Sequence, residues 1–245
     1  MTRSRPRERL ALAAGALLLV LGVSAHAGDV TIATSPTDRA ASAMRRGDYQ
    51  TALDELRPLA ANGDADAEFL LGMLYDAGKG VPQDRTAAAS WYRKAAEQKH
   101  VTAQAYLGAM CYSGDGVKQD YPQAARWLGA AAANGNDFAQ FYLGTMYANG
   151  VGVAKNEEVA IQWLTKAAAQ KNTRAMGMLA SLLFSRSRDD QDRIDAYVWS
   201  HLAAEFDPIQ AATSARVVTE KYCNSEQTKR AKKAMSAWKK QWASE

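Results

Sequence analysis

The sequence is poor in the residues from which most catalytic and metal sites are built. Its 245 residues include only 2 Cys and 3 His, and one of these histidines lies in an amino-terminal segment that we expect to be removed. A zinc site or a Cys–His catalytic pair therefore has almost nothing to draw on. The chain also has only 6 Pro, so no long proline-rich linker divides it. We predict no catalytic residue, no metal ion and no cofactor.

Only one long apolar run is present, and it has the form of a secretory signal. Four arginines precede the apolar stretch 10–23, and Ala25-His26-Ala27 after it matches a signal-peptidase site. As a helix, this stretch would span about 21 Å, which is less than the ~30 Å hydrocarbon core of a bilayer. We therefore expect cleavage after 1–27, no transmembrane anchor, and a periplasmic or secreted mature protein.

The mature chain has too little net charge to indicate nucleic-acid binding. Loss of 1–27 takes away four Arg and one Glu, so the formal charge falls from +4 to +1. The exception is 226–245, where six Lys or Arg outnumber two Glu. This basic helix leaves three interpretations open: contact with anionic lipid headgroups, contact with an acidic protein, or a solvated face that covers the end of the fold.

A 36-residue period runs through the middle of the chain. Leu-Gly pairs, Ala-Ala pairs and Gly-x-Gly-Val segments recur at this interval in three or four copies. Four tryptophans stand at the same spacing, namely Trp91, Trp127, Trp163 and Trp199. A match at so many positions is the signature of stacked structural repeats.

Each repeat has the pattern of two antiparallel helices. From Ala67 to Tyr75, apolar residues recur at i, i+3, i+4, i+7 and i+8, which predicts one helix. Gly78 ends that helix, and Asp84 caps a second one whose buried stripe includes Trp91. The corresponding caps are predicted at Asp120, Asn156 and Asp192. The predicted fold is all-α, an α/α superhelical solenoid of antiparallel helix pairs.

The register of the repeat predicts the segments of the chain. In order, these are a signal peptide (1–27), a flexible N-terminus (28–39), a degenerate N-terminal cap repeat (40–66), three repeats (67–102, 103–138 and 139–174), a degenerate repeat (175–210) and C-terminal capping helices (211–245). The last capping helix is expected to be capped by Ser225 and to bury Trp238 and Trp242.

The repeat resembles a known family. The pattern Ala-x-x-x-Leu-Gly-x-x-Tyr-x-x-Gly-x-Gly-Val-x-x-Asp, followed by Ala-x-x-Trp-x-x-x-Ala-Ala, is similar to the Sel-like repeats (SLR), a branch related to the tetratricopeptide repeats. The resemblance implies a scaffold or adaptor that binds other proteins, and in exported bacterial members a role in envelope, signalling or secretion processes. A cysteine-rich subgroup implies an alternative: binding of small cell-wall or β-lactam-like ligands with weak hydrolase activity.

A curved stack of helix pairs would line an inner groove with the first helix of each pair. Helical phase then turns one set of side chains into the groove. The predicted groove residues are Phe69, Met73, Asp76, Tyr112, Phe138, Phe141, Thr145 and Phe184. Aromatic anchors are frequent binding hot spots, so we expect a monomer that holds a partner protein or peptide there. The alternative is that several of these rings pack between adjacent repeats.

The remaining motifs favour structural roles. Each Gly-x-Gly follows a predicted helix rather than a strand and lacks the third glycine of a dinucleotide-binding loop. His100 and His201 lie in different repeats, without partners at metal-ligand spacing. Cys111 and Cys223 stand 112 positions apart, and they fit buried small side chains better than a disulfide.

Overall fold

The computed structural model describes residues 35–186, 189–207 and 220–244. The predicted signal peptide, positions 187–188 of the degenerate repeat and most of the first C-terminal capping segment lie outside these ranges. Within them the regular elements are α-helices in consecutive packed pairs, which confirms the predicted all-α fold class. None of the helices in the described ranges is both long and apolar enough to cross a bilayer.

The described residues form two compact units, one that ends at Asp120 and one that begins at Tyr121. Helices of the first unit are α1 (Pro36–Arg46), α2 (Tyr49–Ala61), α3 (Ala65–Ala77), α4 (Arg85–Glu97) and α5 (Val101–Ser113). Helices of the second are α6 (Tyr121–Ala133), α7 (Asp137–Asn149), α8 (Glu157–Ala169), α9 (Thr173–Arg186), α10 (Asp190–Phe206) and α11 (Ser225–Ala243). From α2 to α8 every helix has 13 residues, as a repeat of constant length requires.

Within each unit, neighbouring helices pack as hairpins through small residues. In the first unit α1 packs on α2 and α3 on α4, and in the second α7 packs on α8 and α9 on α10. The first helices of successive pairs also touch, α1 with α3 and α7 with α9. Fully buried alanines such as Ala88 and Ala160 let the helices approach closely, and Leu71 and Leu164 fill the space between them.

Side-chain caps and glycine turns set the helix boundaries. Asp84 accepts a hydrogen bond from the Ala87 N–H at 2.9 Å, and Asn156 accepts one from the Val159 N–H at 3.0 Å, which confirms both predicted caps. Gly116 has a φ of +71°, and a Cβ there would lie 2.4 Å from the Arg85 carbonyl oxygen. Only glycine fits this turn.

The predicted cap of α10 is wrong. Asp189 is the capping residue and accepts a hydrogen bond from the Asp192 N–H at 2.9 Å. Asp192 itself is 4% exposed and pairs with Arg186, whose Nε lies 2.9 Å from Oδ2. The repeat register misplaced the cap because α10 begins three residues earlier than the period predicts, and this leaves Asp192 inside its first turn.

Two other helix starts also differ from expectation. Asn224, not Ser225, caps α11, because its side chain accepts a hydrogen bond from the Gln227 N–H at 2.9 Å. In return, Gln227 Oε1 accepts a hydrogen bond from the Asn224 N–H at 2.8 Å. Helix α1 begins at Pro36, inside the segment predicted to be flexible. Ser35 caps it in the same reciprocal manner.

The four tryptophans do not share one environment. Three of them are half-buried, each with a basic side chain over its ring: Trp91 with Lys94 at 4.0 Å, Trp127 with Arg126 at 5.1 Å, and Trp163 with Lys166 at 4.3 Å. Trp199 is 5% exposed, because Trp238 of α11 covers it with ring centroids 5.0 Å apart. The expectation that Trp91 is part of a buried stripe is therefore wrong, and Trp199 is buried by the C-terminal helix.

Candidate protein-binding surface

The predicted groove residues fall into both compact units, and each unit is considered on its own. Phe69, Met73 and Asp76 lie on α3 and Tyr112 on α5, all in the first unit; Phe138, Phe141 and Thr145 lie on α7 and Phe184 on α9, all in the second. Phe69 and Met73 are buried, whereas the other six are half-buried, and this difference decides which residues a partner can reach.

In the first unit, Phe69 is at the centre of a buried aromatic cluster. Its ring is 2% exposed and stacks on His100, with centroids 4.6 Å apart. The rings of Tyr92 and Tyr106 lie at 5.7 Å on its other sides. Met73 on the same helix is also buried, at 4% exposure. The expectation that Phe69 and Met73 face a partner is therefore corrected, because both side chains pack inside the unit.

Asp76 borders this cluster and is held in a charge network. Arg85 lies 3.6 Å from Asp76 and donates to Asp115 at 2.8 Å. Burial raises the pKa of Asp76, although the Arg85 charge acts in the opposite direction. Burial, together with the Asp76 charge, also raises the pKa of Tyr92, whose hydroxyl has no hydrogen-bond partner. Asp76 therefore helps to hold α3 and α4 together.

His100 links the cluster to α5. Its Nδ1 accepts a hydrogen bond from the Ala103 N–H at 3.0 Å, so the imidazole caps the helix. Its Nε2 lies 3.2 Å from Asp66. Burial lowers the pKa of His100 despite the nearby carboxylate. The equivalent positions 64, 136 and 172 hold Asp or Asn, a signal that could have identified this cap from the sequence.

Tyr112, the remaining predicted residue of the first unit, is half-buried near the end of α5. Its carbonyl oxygen accepts a hydrogen bond from Gln119 Nε2 at 2.9 Å. The corresponding bond in the preceding repeat runs from Gln83 to the Asp76 carbonyl at 2.7 Å. This hydrogen bond thus joins the end of α5 to the turn that follows it, as the equivalent bond does in the preceding repeat.

In the second unit, α7 carries three half-buried rings that contact one another in sequence. Phe138 and Tyr142 have centroids 4.7 Å apart, and Phe141 and Tyr142 have centroids 5.3 Å apart. We call Phe138, Phe141 and Tyr142 the α7 aromatic patch. Thr145 lies one turn further, and its Oγ1 donates to the Phe141 carbonyl at 2.9 Å. The sequence prediction missed Tyr142, although its position between two predicted groove residues was a usable signal.

The repeat register explains why Phe141 is accessible whereas Phe69 is not. The two residues are 72 positions apart and so occupy the same place in their repeats. His100 and Tyr106 cover Phe69, and the corresponding positions near Phe141 hold the smaller or non-aromatic Asn172 and Met178. In addition, Gly177 on α9 has nothing within 4 Å of its would-be Cβ. With non-aromatic residues at the two covering positions, the Phe141 ring is half-buried rather than buried.

Phe184 is not part of the α7 aromatic patch. It lies seven residues after Gly177, about 10 Å further along α9. Its ring is half-buried and sits 5.8 Å from that of Tyr222, which is 56% exposed. Like Phe141, Phe184 packs against the apolar core of the second unit. The structure thus brings together Phe138 and Phe141 through Tyr142, with Thr145 one turn further, whereas the ring beside Phe184 is that of Tyr222.

Polar groups border the patch near the start of both helices. Asp137 accepts a hydrogen bond from Asn172 Nδ2 at 2.8 Å, and Arg174 at the start of α9 is exposed. An apolar centre with a polar rim is the usual anatomy of a protein interface. Across the described ranges, no three His, Cys, Asp or Glu side chains come together as metal ligands would.

Comparison with known proteins identifies the repeat. The Sel1 repeat model matches at 65–100, 101–136 and 137–172. These segments begin two residues before the repeats that the sequence register predicts. No curated protein matches the chain.

Two solved structures have similar folds. One is a protective antigen present in uropathogenic Escherichia coli strains that displays an SLR fold, with 31% identity and a TM-score of 0.73 over 94% of this chain. This chain spans only 52% of the length of that antigen. The other is a Sel1 repeat protein from Oxalobacter formigenes, with 29% identity and a TM-score of 0.62, covering 68% of this chain and 69% of that one. This chain therefore carries three Sel1 repeats, at 65–172, and has the SLR fold.

Proposed function

We propose that this chain is an exported adaptor that holds a partner protein or peptide against the α7 aromatic patch. Sel1-repeat proteins generally mediate protein–protein interaction, and their fold is typically a non-enzymatic scaffold. The observation that carries the proposal is the group of three half-buried rings in contact along α7. The ring at the equivalent position of the first unit, Phe69, is buried.

The chemistry of the patch suits a protein ligand. Phe and Tyr rings supply apolar contact area at low conformational cost, and interface centres are enriched in them. On α9, which contacts α7, Gly177 has open space beside it that a neighbouring chain can enter. We therefore expect an extended peptide or a helix whose apolar side chain enters between α7 and α9.

Export rests on the sequence alone, because 1–27 lies outside the described residues. The basic start, the apolar run and the Ala-x-Ala site carry this part of the proposal. The structural relative that is a protective antigen is in keeping with it. Cell fractionation, with the intact mass of the purified protein, tests it. A mature protein that begins at Gly28 in the periplasm or the medium is expected, and a full-length cytoplasmic product would contradict it.

A pull-down with matched variants tests the binding surface. The bait is the mature protein, and light scattering checks that it is a monomer. The variant is Phe138→Ser/Phe141→Ser. Phe206→Ser is the control, because it removes an aromatic ring that is 47% exposed elsewhere on the same unit. We expect the double variant to lose proteins that wild type and control both retain. Equal recovery by all three baits would contradict the proposal.

A second candidate function is favoured by an open pocket on α4. Its volume is about 350 Å³, and among its lining residues are Thr86, Ser90, Arg93, Lys94 and Glu97, so two cations face one carboxylate. Small cell-wall fragments and β-lactam-like compounds carry carboxylates that such cations attract. Isothermal titration with these compounds tests this function. Saturable binding that Arg93→Ala abolishes would favour it, and the absence of binding heat would remove it.

A further inference from the structure

The C-terminal helix α11 presents lysines that no described carboxylate neutralises. Lys229, Lys232, Lys233 and Lys240 are exposed, and none of them forms an ion pair with another described residue. By contrast, Lys239 pairs with Glu205 at 2.6 Å. The positive charge on this helix is therefore largely available to a partner.

Helical geometry places these lysines along one straight face. Lys229, Lys233 and Lys240 are separated by four and seven residues, so they point in directions within about 40° of one another and span roughly 17 Å. Lys232 flanks them on one side, and Glu226, one turn before Lys229, lies on the other. Ser236 is the small residue at the centre of this face. We call this surface the α11 lysine face.

The opposite side of α11 is fixed to the rest of the second unit. Ala231 is fully buried, and Trp238 packs on Trp199 with centroids 5.0 Å apart. Near the end of the helix, Trp242 Nε1 donates to the Ala169 carbonyl at 2.6 Å. Ala234 and Met235 also pack against the apolar core of the second unit. The apolar side of α11 is therefore directed at that unit, and the α11 lysine face is directed away from it.

We propose that the α11 lysine face docks on the surface of an anionic phospholipid membrane. The row of lysines has no aromatic anchor, and the neighbouring Arg230 donates to Gln191 at 3.2 Å, whereas the centre of a protein interface is usually enriched in aromatic and arginine side chains. Lysine acts as a flexible point charge rather than a bidentate fork. Such a face matches the spread-out negative charge of lipid headgroups, which attract basic segments without a shaped pocket. This inference does not depend on the α7 aromatic patch.

Vesicle co-sedimentation tests the proposal. The mature protein is mixed with vesicles of phosphatidylglycerol and phosphatidylcholine, or of phosphatidylcholine alone, at low and at physiological salt. Binding should need phosphatidylglycerol and should weaken as salt rises. Each basic residue near an anionic surface contributes about a fivefold gain in affinity, so Lys229→Gln/Lys233→Gln/Lys240→Gln should lower binding by roughly 100-fold.

A control variant separates this face from net charge. Lys99→Gln/Lys118→Gln/Lys155→Gln removes the same charge from exposed positions elsewhere and should bind vesicles within a few-fold of wild type. Circular dichroism must show that both variants fold as wild type does. Equal losses in the two variants would overturn the proposal, as would no binding to phosphatidylglycerol vesicles at low salt. Loss of an acidic protein from the pull-down, with vesicle binding unchanged, would overturn it in favour of a protein partner.

Discussion

Replacement of Gly72 by alanine tests how closely the helices of one repeat pack. A Cβ at Gly72 would lie 2.6 Å from two ring carbons of Tyr92 and 3.3 Å from the Ala88 carbonyl oxygen. Real Cβ contacts are longer, and Tyr92 is only 1% exposed, so its ring has no free space into which to move. The added methyl group therefore either forces the Tyr92 side chain into another rotamer or pushes α3 and α4 apart.

The expected magnitude follows from two opposing effects. Alanine in a helix is favoured over glycine by roughly 1 kcal/mol, whereas overpacking a filled core costs about 1–3 kcal/mol. Gly72→Ala should thus lower the free energy of unfolding by about 1 kcal/mol. Gly129 on α6 has nothing within 4 Å of the same atom, so Gly129→Ala should raise it by up to about 1 kcal/mol.

Thermal unfolding followed by far-UV circular dichroism measures this difference. A gap of about 2 kcal/mol between the two variants corresponds to roughly 4–8 °C in Tm for a chain of this size. The sequence already contains a compensated case: where Ala180 replaces the glycine, Ser200 stands at the register position of Tyr92. If Gly72→Ala were as stable as Gly129→Ala, the close crossing of α3 and α4 would be refuted.

Two further predictions concern His100 and the tryptophans. Because burial holds the pKa of His100 below 6.5 in the folded protein, the unfolded state binds a proton more readily, and the free energy of unfolding should fall as the pH drops through about 6.5. His100→Asn keeps a capping acceptor and should remove that part of the pH dependence. Urea unfolding of wild type and variant at several pH values measures it. If the free energy of unfolding depended on pH in the same way in both proteins, the role given to the buried imidazole would be contradicted. Trp199→Ala should cost about 3–5 kcal/mol because the ring is buried, and Trp163→Ala less than half of that; equal losses in the same assay would be incompatible with the distinct environments of the two rings.

The fold was predictable because its information repeats. The 36-residue period, the Gly-x-Gly turns and caps such as Asp84 and Asn156 each specify local geometry, and they agree with one another in several copies. Prediction failed where the period breaks. Asp192 was assigned as a cap by register, but α10 starts earlier and pairs this carboxylate with Arg186.

The candidate surface was only partly predictable, because exposure depends on residues from the following repeat. Helical phase treats Phe69 and Phe141 alike, since they occupy equivalent positions on their helices. His100 and Tyr106 bury the first ring, and no comparable pair of rings covers the second. In the same way, Trp199 differs from the other tryptophans because α11 lies over it, and no repeat pattern encodes that contact.

Site-specific photo-crosslinking tests the central claim most directly. A photoreactive phenylalanine analogue replaces Phe141 on the α7 aromatic patch or, in a separate protein, Phe206 at the end of α10, and the mature protein is irradiated in cells. The account predicts crosslinks to a distinct partner from position 141 and none to that partner from position 206. Crosslinks to the same partner from position 206 alone, or no partner from position 141, would contradict it.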